Sequence, residues 1–193
     1  FLCPQTPGGP HPRALASRPA LLRRGSLSVW ARSRFALAAR CVASGQGDEV
    51  DMIRYPFITA AEDAADAAGA VIRPLFRSSL LVEAKGDASP VTRADKEAEE
   101  VARALIGERF PDHGVIGEEH GADRPDAEWV WVVDPIDGTR AFVTGRPLFG
   151  SLIGLLHRGE PVLGIIDQPV TGERWVGVKG RRTRFRAPMG GVA

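Results

Sequence analysis

Two carboxylates stand three residues apart at the end of an apolar run. Asp134 and Asp137 follow residues 129–133, whose apolar side chains predict a buried strand that breaks at Pro135. Carboxylates this close repel each other unless a cation lies between them, and a hard divalent metal ion fits that position. The same residues also suit a simple turn, because Asp, Pro and Gly all favour turns.

An anion site would lie directly beside these acids. Gly138 and Thr139 follow Asp137 and are suited to open a helix, whose first backbone N–H groups lack a partner within the helix and bind anions. A metal site next to an anion site suggests phosphate chemistry. If the residues only form a turn, the motif does not indicate phosphate chemistry. The rest of the sequence is therefore needed to choose between the two interpretations.

Three more acids precede this motif. Glu118 and Glu119 follow a short apolar segment that ends in a glycine. Adjacent residues of an extended chain point to opposite faces, so one carboxylate could face a metal while the other meets water; the alternative is a solvated polar turn. Asp95 occupies the capping-box position after Thr92, and the local sequence favours that capping role.

Histidine and cysteine spacing indicates no zinc site. His113 and His120 have no partner at zinc-ligand spacing, so we expect surface or packing roles for both. Cys3 and Cys41 form neither a metal motif nor a disulfide framework. A ligand set made only of oxygen atoms favours Mg²⁺ over zinc.

Composition indicates a soluble globular protein of ordinary domain size. The chain has 193 residues, 44% hydrophobic and 25% charged, and no apolar run long enough to span a membrane. Although the net charge is only +1, both ends of the chain are basic. Residues 1–47 contain seven arginines and no acid, and residues 179–193 also contain no acid. No aromatic interleaving or recognised motif accompanies these arginines, so no nucleic-acid partner is expected.

The composition also predicts the domain boundaries. Residues 1–51 are predicted to lie outside the fold, either as an Arg- and Ser-rich transit peptide or as translated upstream sequence. Residues 52–180 carry the periodic patterns of a folded domain, and residues 181–193 read as a basic tail outside it.

Periodicity within the domain predicts a layered α/β sandwich of the α+β type. One helix should run from Tyr55 to a stop or kink at Pro74, and a second from Thr92 to about Phe110. Their inward positions are Ile58, Ala61, Ala65, Ala68, Ile72 and Leu75, and then Ala98, Val101, Ala102, Leu105 and Ile106. The predicted strands are 80–83, 115–116, 129–133, 149–156, 162–166 and 174–178, and the predicted loops include 85–90 and 142–147.

The acidic motifs together resemble the inositol monophosphatase family of metal-dependent phosphatases. They are Asp87-x-Ser-Pro-Val-Thr-x-x-Asp95, Gly117-Glu118-Glu119 and Asp134-Pro-Ile-Asp137-Gly-Thr139. The longer sequences around these motifs, at residues 111–121, 138–150 and 164–169, resemble the histidinol-phosphate phosphatase branch of that family. The resemblance runs from about Met52 to about Gly180.

The resemblance implies a role for each motif residue. Glu118, Asp134 and the Ile136 carbonyl would hold one Mg²⁺, and Asp134 with Asp137 a second. Glu119 would support a metal-bound water, while Asp95 and Thr139 would orient the attacking water. The amides of Gly138 and Thr139 would receive the phosphate.

The resemblance also implies a function and its setting. The expected activity is hydrolysis of a small phosphorylated alcohol, histidinol phosphate first and inositol phosphate as the alternative, by a protein that forms homodimers and binds no membrane. The location would be cytoplasmic in a bacterium, or plastidial if residues 1–47 are a transit peptide. The family's later Trp-Asp motif does not occur here, so a non-catalytic role in binding metal, phosphate or a complete subunit is the second hypothesis.

Overall fold

The computed structural model describes residues 55–78, 82–84 and 90–187 of the chain. Its helices are α1 (Tyr55–Leu75), α2 (Arg93–Arg109) and α3 (Thr139–Val143). Its strands are β1 (Val82–Ala84), β2 (Pro90–Thr92), β3 (Gly114–Gly117), β4 (Gly121–Asp123), β5 (Trp129–Asp137), β6 (Gly150–His157), β7 (Glu160–Gln168), β8 (Glu173–Val178) and β9 (Arg184–Arg186). One sheet has the order β4-β3-β5-β6-β7-β8-β9, and β1 pairs with β2.

Helix α1 packs against α2, β6 and β7 through a face of mostly small residues. The buried positions that the periodicity predicted are Ile58, Ala61, Ala65, Ala68 and Ile72. Because most of these side chains are short, the helix can approach the sheet closely. The predicted stop at Pro74 is confirmed, since the helix ends at Leu75. No helix in the described part of the chain is long and apolar enough to cross a membrane.

Helix α2 begins at the predicted capping box. The Ala94 amide donates to Thr92 Oγ1 at 3.1 Å, and the Thr92 amide donates to Asp95 Oδ2 at 2.8 Å. The helix ends at Arg109, as predicted. Among the expected inward positions, three are buried and two are half-buried: Ala98, Ala102 and Ile106, and then Val101 and Leu105.

The segment before α2 lies partly outside the described residues. The predicted strand at 80–83 and loop at 85–90 include residues 80, 81 and 85–89, which are not described. What the structure does show is β1 paired antiparallel with β2, with Val82 opposite Thr92. Pro90 therefore lies in a strand and not in a loop.

Strand β5 confirms the predicted buried strand and corrects its end. The strand continues through Pro135 to Asp137, whereas the sequence predicted a break at the proline. Its pairing with β6 shifts register between Asp134 and Asp137, and such an irregularity accommodates a residue that has no backbone N–H. The Ser151 hydroxyl donates to the Pro135 carbonyl at 2.7 Å and holds this part of the strand in place.

The strands after this point form the predicted antiparallel succession β6, β7 and β8. Two predicted boundaries change. Helix α3 includes Phe142 and Val143, so the loop expected at 142–147 starts two residues later. Residues Arg184–Arg186 pair with β8 as β9, so this part of the 181–193 segment extends the sheet.

The two long helices cover one face of the seven-stranded sheet, which confirms the predicted fold class. The main core lies between these layers and includes Trp131, Val133, Ile153, Leu155 and Ile165. A smaller cluster lies on the opposite face and consists of Ile116, Val130, Val132 and Leu156. The alternation along β5 follows from the two-residue period of a strand.

A buried ion network joins α1 to the sheet. Arg174 is 2% exposed; its Nε donates to Asp167 at 2.6 Å, and a terminal nitrogen donates to Asp66 of α1 at 2.6 Å. Its other terminal nitrogen donates to the Glu62 carbonyl at 3.2 Å. Burial alone would lower the pKa of Arg174, but the two carboxylates outweigh it and raise that pKa.

Arg174→Met should lower the free energy of unfolding by about 3–5 kcal/mol, because it leaves the buried Asp167 carboxylate without its partner. Urea unfolding would measure this loss. Arg184→Met is the matched control: Arg184 pairs with Glu62 at 3.3 Å but is 63% exposed, so its loss should cost at most about 1 kcal/mol. Equal effects of the two substitutions would contradict a special role for the buried network.

Candidate metal and phosphate site

The parallel pairing of β3 with β5 brings acids from two motifs to one edge of the sheet. Gly117, at the end of β3, pairs with Val133 of β5. Glu118 and Asp134 are the next residues of the two segments. Because parallel strands run in the same direction, these residues arrive side by side at the same edge.

Asp134 is the most buried of the candidate ligand carboxylates. It is 6% exposed, and its side chain shares a hydrogen bond with that of Glu118. Burial raises the pKa of Asp134 well above its ordinary value, and the charges of Glu118, Asp137 and Asp95 raise it further. The cluster therefore disfavours the ionised Asp134 carboxylate, as expected where acids gather away from water.

The candidate metal ligands are all oxygen atoms, which suits a hard cation such as Mg²⁺. Glu118 and Asp134 are in contact, Asp137 is exposed at the end of β5, and the Ile136 carbonyl accepts a hydrogen bond from Thr139 Oγ1 at 3.2 Å. Within residues 55–78, 82–84 and 90–187, no three His, Cys, Asp or Glu side chains are gathered closely enough to hold a metal ion. The donor chemistry fits Mg²⁺, and a bound ion would have to draw Asp137 or a carbonyl toward the Glu118–Asp134 pair.

Helix α2 brings Asp95 to the same site. Thr139 Oγ1 donates to Asp95 Oδ1 at 3.1 Å, while Asp95 Oδ2 accepts from the Thr92 hydroxyl at 2.6 Å. Burial raises the pKa of Asp95, although the hydrogen bonds from Thr92 and Thr139 oppose that shift. One oxygen of Asp95 thus caps the helix and the other contacts Thr139, so the capping role and a site role are compatible.

Gly138 has a backbone conformation that favours glycine. Its φ of 103° lies in the left-handed region, and a Cβ there would come within 3.1 Å of the Leu148 carbonyl oxygen. The first hydrogen bonds inside α3 are donated by Ala141 and Phe142 to the Gly138 carbonyl, at 2.8 and 3.2 Å. The amides of Gly138 and Thr139 precede those bonds, as the predicted helix start requires.

The turn Glu118–His120 is bound by Glu99, a residue that the sequence analysis did not identify. The Glu119 amide donates to Glu99 Oε2 at 2.6 Å, and the His120 amide donates to Glu99 Oε1 at 3.1 Å. Glu99 lies four residues after Asp95, so both face the same side of α2. That spacing is the signal by which the sequence could have identified Glu99.

The two histidines of this region have a packing role and a surface position, as expected. Trp131 Nε1 donates to His113 Nδ1 at 3.0 Å, and the His113 ring stacks on Phe110 with 4.7 Å between centroids. Burial lowers the pKa of His113, which suits the neutral ring that accepts this bond. His120 is exposed, and its Nε2 lies 3.1 Å from the Lys96 carbonyl oxygen.

Comparison with known proteins gives consistent matches. The sequence model of the inositol monophosphatase family matches residues 54–189. The chain is 51% identical over 123 residues to the protein of Arabidopsis thaliana named bifunctional phosphatase IMPL2, chloroplastic. The matched region covers 63% of this chain and 36% of that protein. It is 41% identical over 126 residues to a histidinol-phosphatase of Chlorobaculum parvum, covering 65% of this chain and 49% of that protein.

A solved structure matches over a similar region. It is an inositol monophosphatase from Zymomonas mobilis, with a TM-score of 0.59 and 51% sequence identity over 68% of this chain and 51% of that chain. The chain therefore spans about half the length, or less, of these relatives, with shares of 36%, 49% and 51%.

Asp134→Asn should raise the free energy of unfolding of the metal-free protein by roughly 1 kcal/mol, because it removes a carboxyl group that ionises freely in the unfolded chain at pH 7 but whose ionised form is disfavoured in the fold by burial and by neighbouring carboxylates. Urea unfolding in a chelator at pH 7 would measure this gain. Asp126→Asn, at an exposed position of the β4–β5 loop, should leave stability unchanged. A clear loss of stability in Asp134→Asn would contradict electrostatic strain at this site.

Proposed function

Because the chain belongs to the inositol monophosphatase family, we propose that it is a Mg²⁺-dependent phosphomonoester hydrolase whose substrate is histidinol phosphate. The observation that carries the proposal is the convergence of three separate segments on one site. Strand pairing puts Glu118 beside Asp134, and the hydrogen bond from Thr139 to Asp95 brings α2 and α3 to the same place.

Mg²⁺ would be held by oxygen ligands from two segments. Glu118, Asp134 and the Ile136 carbonyl would form one site, and Asp134 with Asp137 a second. When bound, Mg²⁺ lowers the pKa of a coordinated water and offsets the negative charge of the phosphate oxygens. The oxygen-only donor set supports this choice of ion.

Asp95 and Thr139 would orient the attacking water. The Thr139 hydroxyl directs its single hydrogen toward Asp95 and the Ile136 carbonyl, so the lone pairs of its oxygen remain available to accept a hydrogen bond from water. Asp95 is itself held by the amide and hydroxyl of Thr92, at 2.8 and 2.6 Å. Such restraint matters because correct placement of a nucleophile supplies a large part of a catalytic rate. Glu119 would accept a hydrogen bond from a second water beside Glu118.

The phosphate would bind to the backbone amides of Gly138 and Thr139. Both precede the first internal hydrogen bond of α3, and helix N-terminal amides bind anions in this way. Since α3 has only 5 residues, the individual N–H groups would contribute more than a helix dipole.

The choice of histidinol phosphate is supported by the relatives whose names include it. The similarity to the Chlorobaculum parvum histidinol-phosphatase favours this substrate. The similarity to the Zymomonas mobilis inositol monophosphatase favours inositol phosphate as the alternative. The two substrates share a phosphomonoester and differ in the alcohol, so the phosphate and metal contacts proposed above suit both.

The second candidate function is binding of metal and phosphate without turnover, or pairing with a complete subunit. The hydrogen-bonded Glu118–Asp134 pair and the amides that begin α3 would bind a cation and an anion whether or not hydrolysis follows. As an enzyme, the chain would instead form a homodimer with a second copy of itself.

The location proposal depends on residues 1–47, which lie outside the described residues. Their arginine-rich, acid-free composition and the chloroplastic relative of Arabidopsis thaliana support plastid targeting. Import of a fusion of these residues to a fluorescent protein by isolated plastids would test it.

The full chain should release phosphate from histidinol phosphate only when Mg²⁺ is present, and faster than from inositol 1-phosphate. Asp134→Asn should lower kcat/KM by more than about 100-fold, since loss of even an outer contact of a metal site costs 10- to 100-fold. Thr139→Ala should cost about 100-fold in kcat through misplacement of the water.

Asp126→Asn is the matched control and should keep full activity. A preference for inositol 1-phosphate would favour the alternative substrate. A folded preparation that binds Mg²⁺ by calorimetry but releases no phosphate would favour the non-catalytic function.

A further inference from the structure

We propose that Glu99 is a positioning residue: its buried carboxylate fixes the turn that carries Glu118 and Glu119 and thereby sets the metal affinity of the site. The inference rests on the proposed function, since it takes Glu118 as a metal ligand. Glu99 would touch neither metal nor substrate and would act through the backbone of the turn.

The first evidence is the burial and bonding of this carboxylate. Glu99 is 0% exposed, and both of its oxygens are used. Oε2 accepts from the Glu119 amide at 2.6 Å, and Oε1 accepts from the His120 amide at 3.1 Å. A buried carboxylate is costly unless it is paired and hydrogen-bonded, and here the partners are the amides that follow Glu118.

Arg103 completes the arrangement from the next turn of α2. Its Nε donates to Glu99 Oε1 at 2.7 Å, and its terminal nitrogen donates to the Gly121 carbonyl. Glu99 thus binds two amides of the β3–β4 turn, and Arg103 binds the first residue of β4. A helix-surface ion pair that only stabilised α2 would not explain these contacts, because both side chains reach a segment about twenty residues away in the chain.

Gly117 provides a second, independent observation. A Cβ built at Gly117 would overlap the Glu99 carboxylate. The last residue of β3 must therefore be glycine as long as the carboxylate occupies this place. The carboxylate thus lies against the backbone at the end of β3, in space that any other residue at 117 would fill.

The consequence for the site follows from the peptide geometry. The Glu119 amide belongs to the peptide plane that joins Glu118 to Glu119, and this plane is rigid. A hydrogen bond that holds the amide therefore restrains the positions of both Cα atoms, from which the Glu118 and Glu119 side chains extend. Asp95, one helical turn earlier, contacts Thr139, so α2 restrains both the β3–β4 turn and the start of α3.

Magnesium affinity is the first test, with Mg²⁺ titrated into the full chain by calorimetry. Glu99→Gln should weaken binding by about 10-fold or more, although no ligand is removed. Glu97→Gln, on the same helix but exposed and paired with Arg93, should leave affinity unchanged. Arg174→Met is the destabilised control and should also leave affinity unchanged. An equal loss of affinity in that variant would show that Glu99 acts only through general stability, and would overturn the proposal.

Amide hydrogen exchange is the second test and needs no metal. In metal-free protein, Glu99→Gln should speed exchange at Glu119 and His120 by about tenfold or more, as expected for loss of a charge-assisted hydrogen bond. The amides of β6 should be unaffected. Unchanged exchange in the turn would overturn the proposal.

The third test is a double-mutant cycle between Glu99 and Gly117, read as urea midpoints. Gly117→Ala should lower the midpoint of the parent, because its methyl group displaces the carboxylate. In the Glu99→Ala background the same change should cost far less, since the overlapping group is gone. Equal costs in both backgrounds would overturn the assignment. If Glu99→Ala does not fold, the exchange test with Glu99→Gln decides the proposal.

These readouts separate the inference from the function on which it rests. A parent chain that binds no Mg²⁺ would defeat the proposed function. The exchange and double-mutant results would then still decide whether Glu99 positions the turn.

Discussion

The site depends on the parallel pairing of β3 with β5. The other pairings of the seven-stranded sheet, among the residues that the structure describes, are antiparallel. Only a parallel pair delivers two chain segments to the same sheet edge as each strand ends. The Gly117–Val133 register then makes Glu118 and Asp134 neighbours. A slip of one residue would turn these side chains to the other face, so burial of Trp131 and Val133 in the main core also protects the site.

Helix α2 is the second constraint. It carries two buried carboxylates one turn apart, and each binds a different segment. Asp95 contacts Thr139 at the start of α3, and Glu99 binds the turn after β3. The cost of burying these groups is offset by several hydrogen bonds, including charge-assisted ones to backbone amides. The helix that packs on the sheet is therefore also the element that orients both sides of the site.

Local patterns predicted most of the architecture. The apolar period of α1, the capping box at Thr92 and the apolar run of β5 each depend on residues close in sequence, which is why these elements could be recognised. The errors arose where longer-range contacts prevailed. Pairing with β6 carries β5 past Pro135, and pairing with β8 orders residues 184–186. The element at 80–90 lies partly outside the described residues.

The amino-acid sequence alone indicated the chemistry of the candidate site: carboxylate oxygens suited to a cation at Glu118, Asp134 and Asp137, glycine at 138 and a helix start at Thr139. Residue type and short spacing are enough for that, because they decide charge, turn formation and capping. The three-dimensional fold was needed to show that Glu118 meets Asp134, that Asp95 both caps α2 and contacts Thr139, and that Glu99 binds the turn. These contacts join segments distant along the chain, and strand register and helix packing set them, which no local pattern encodes.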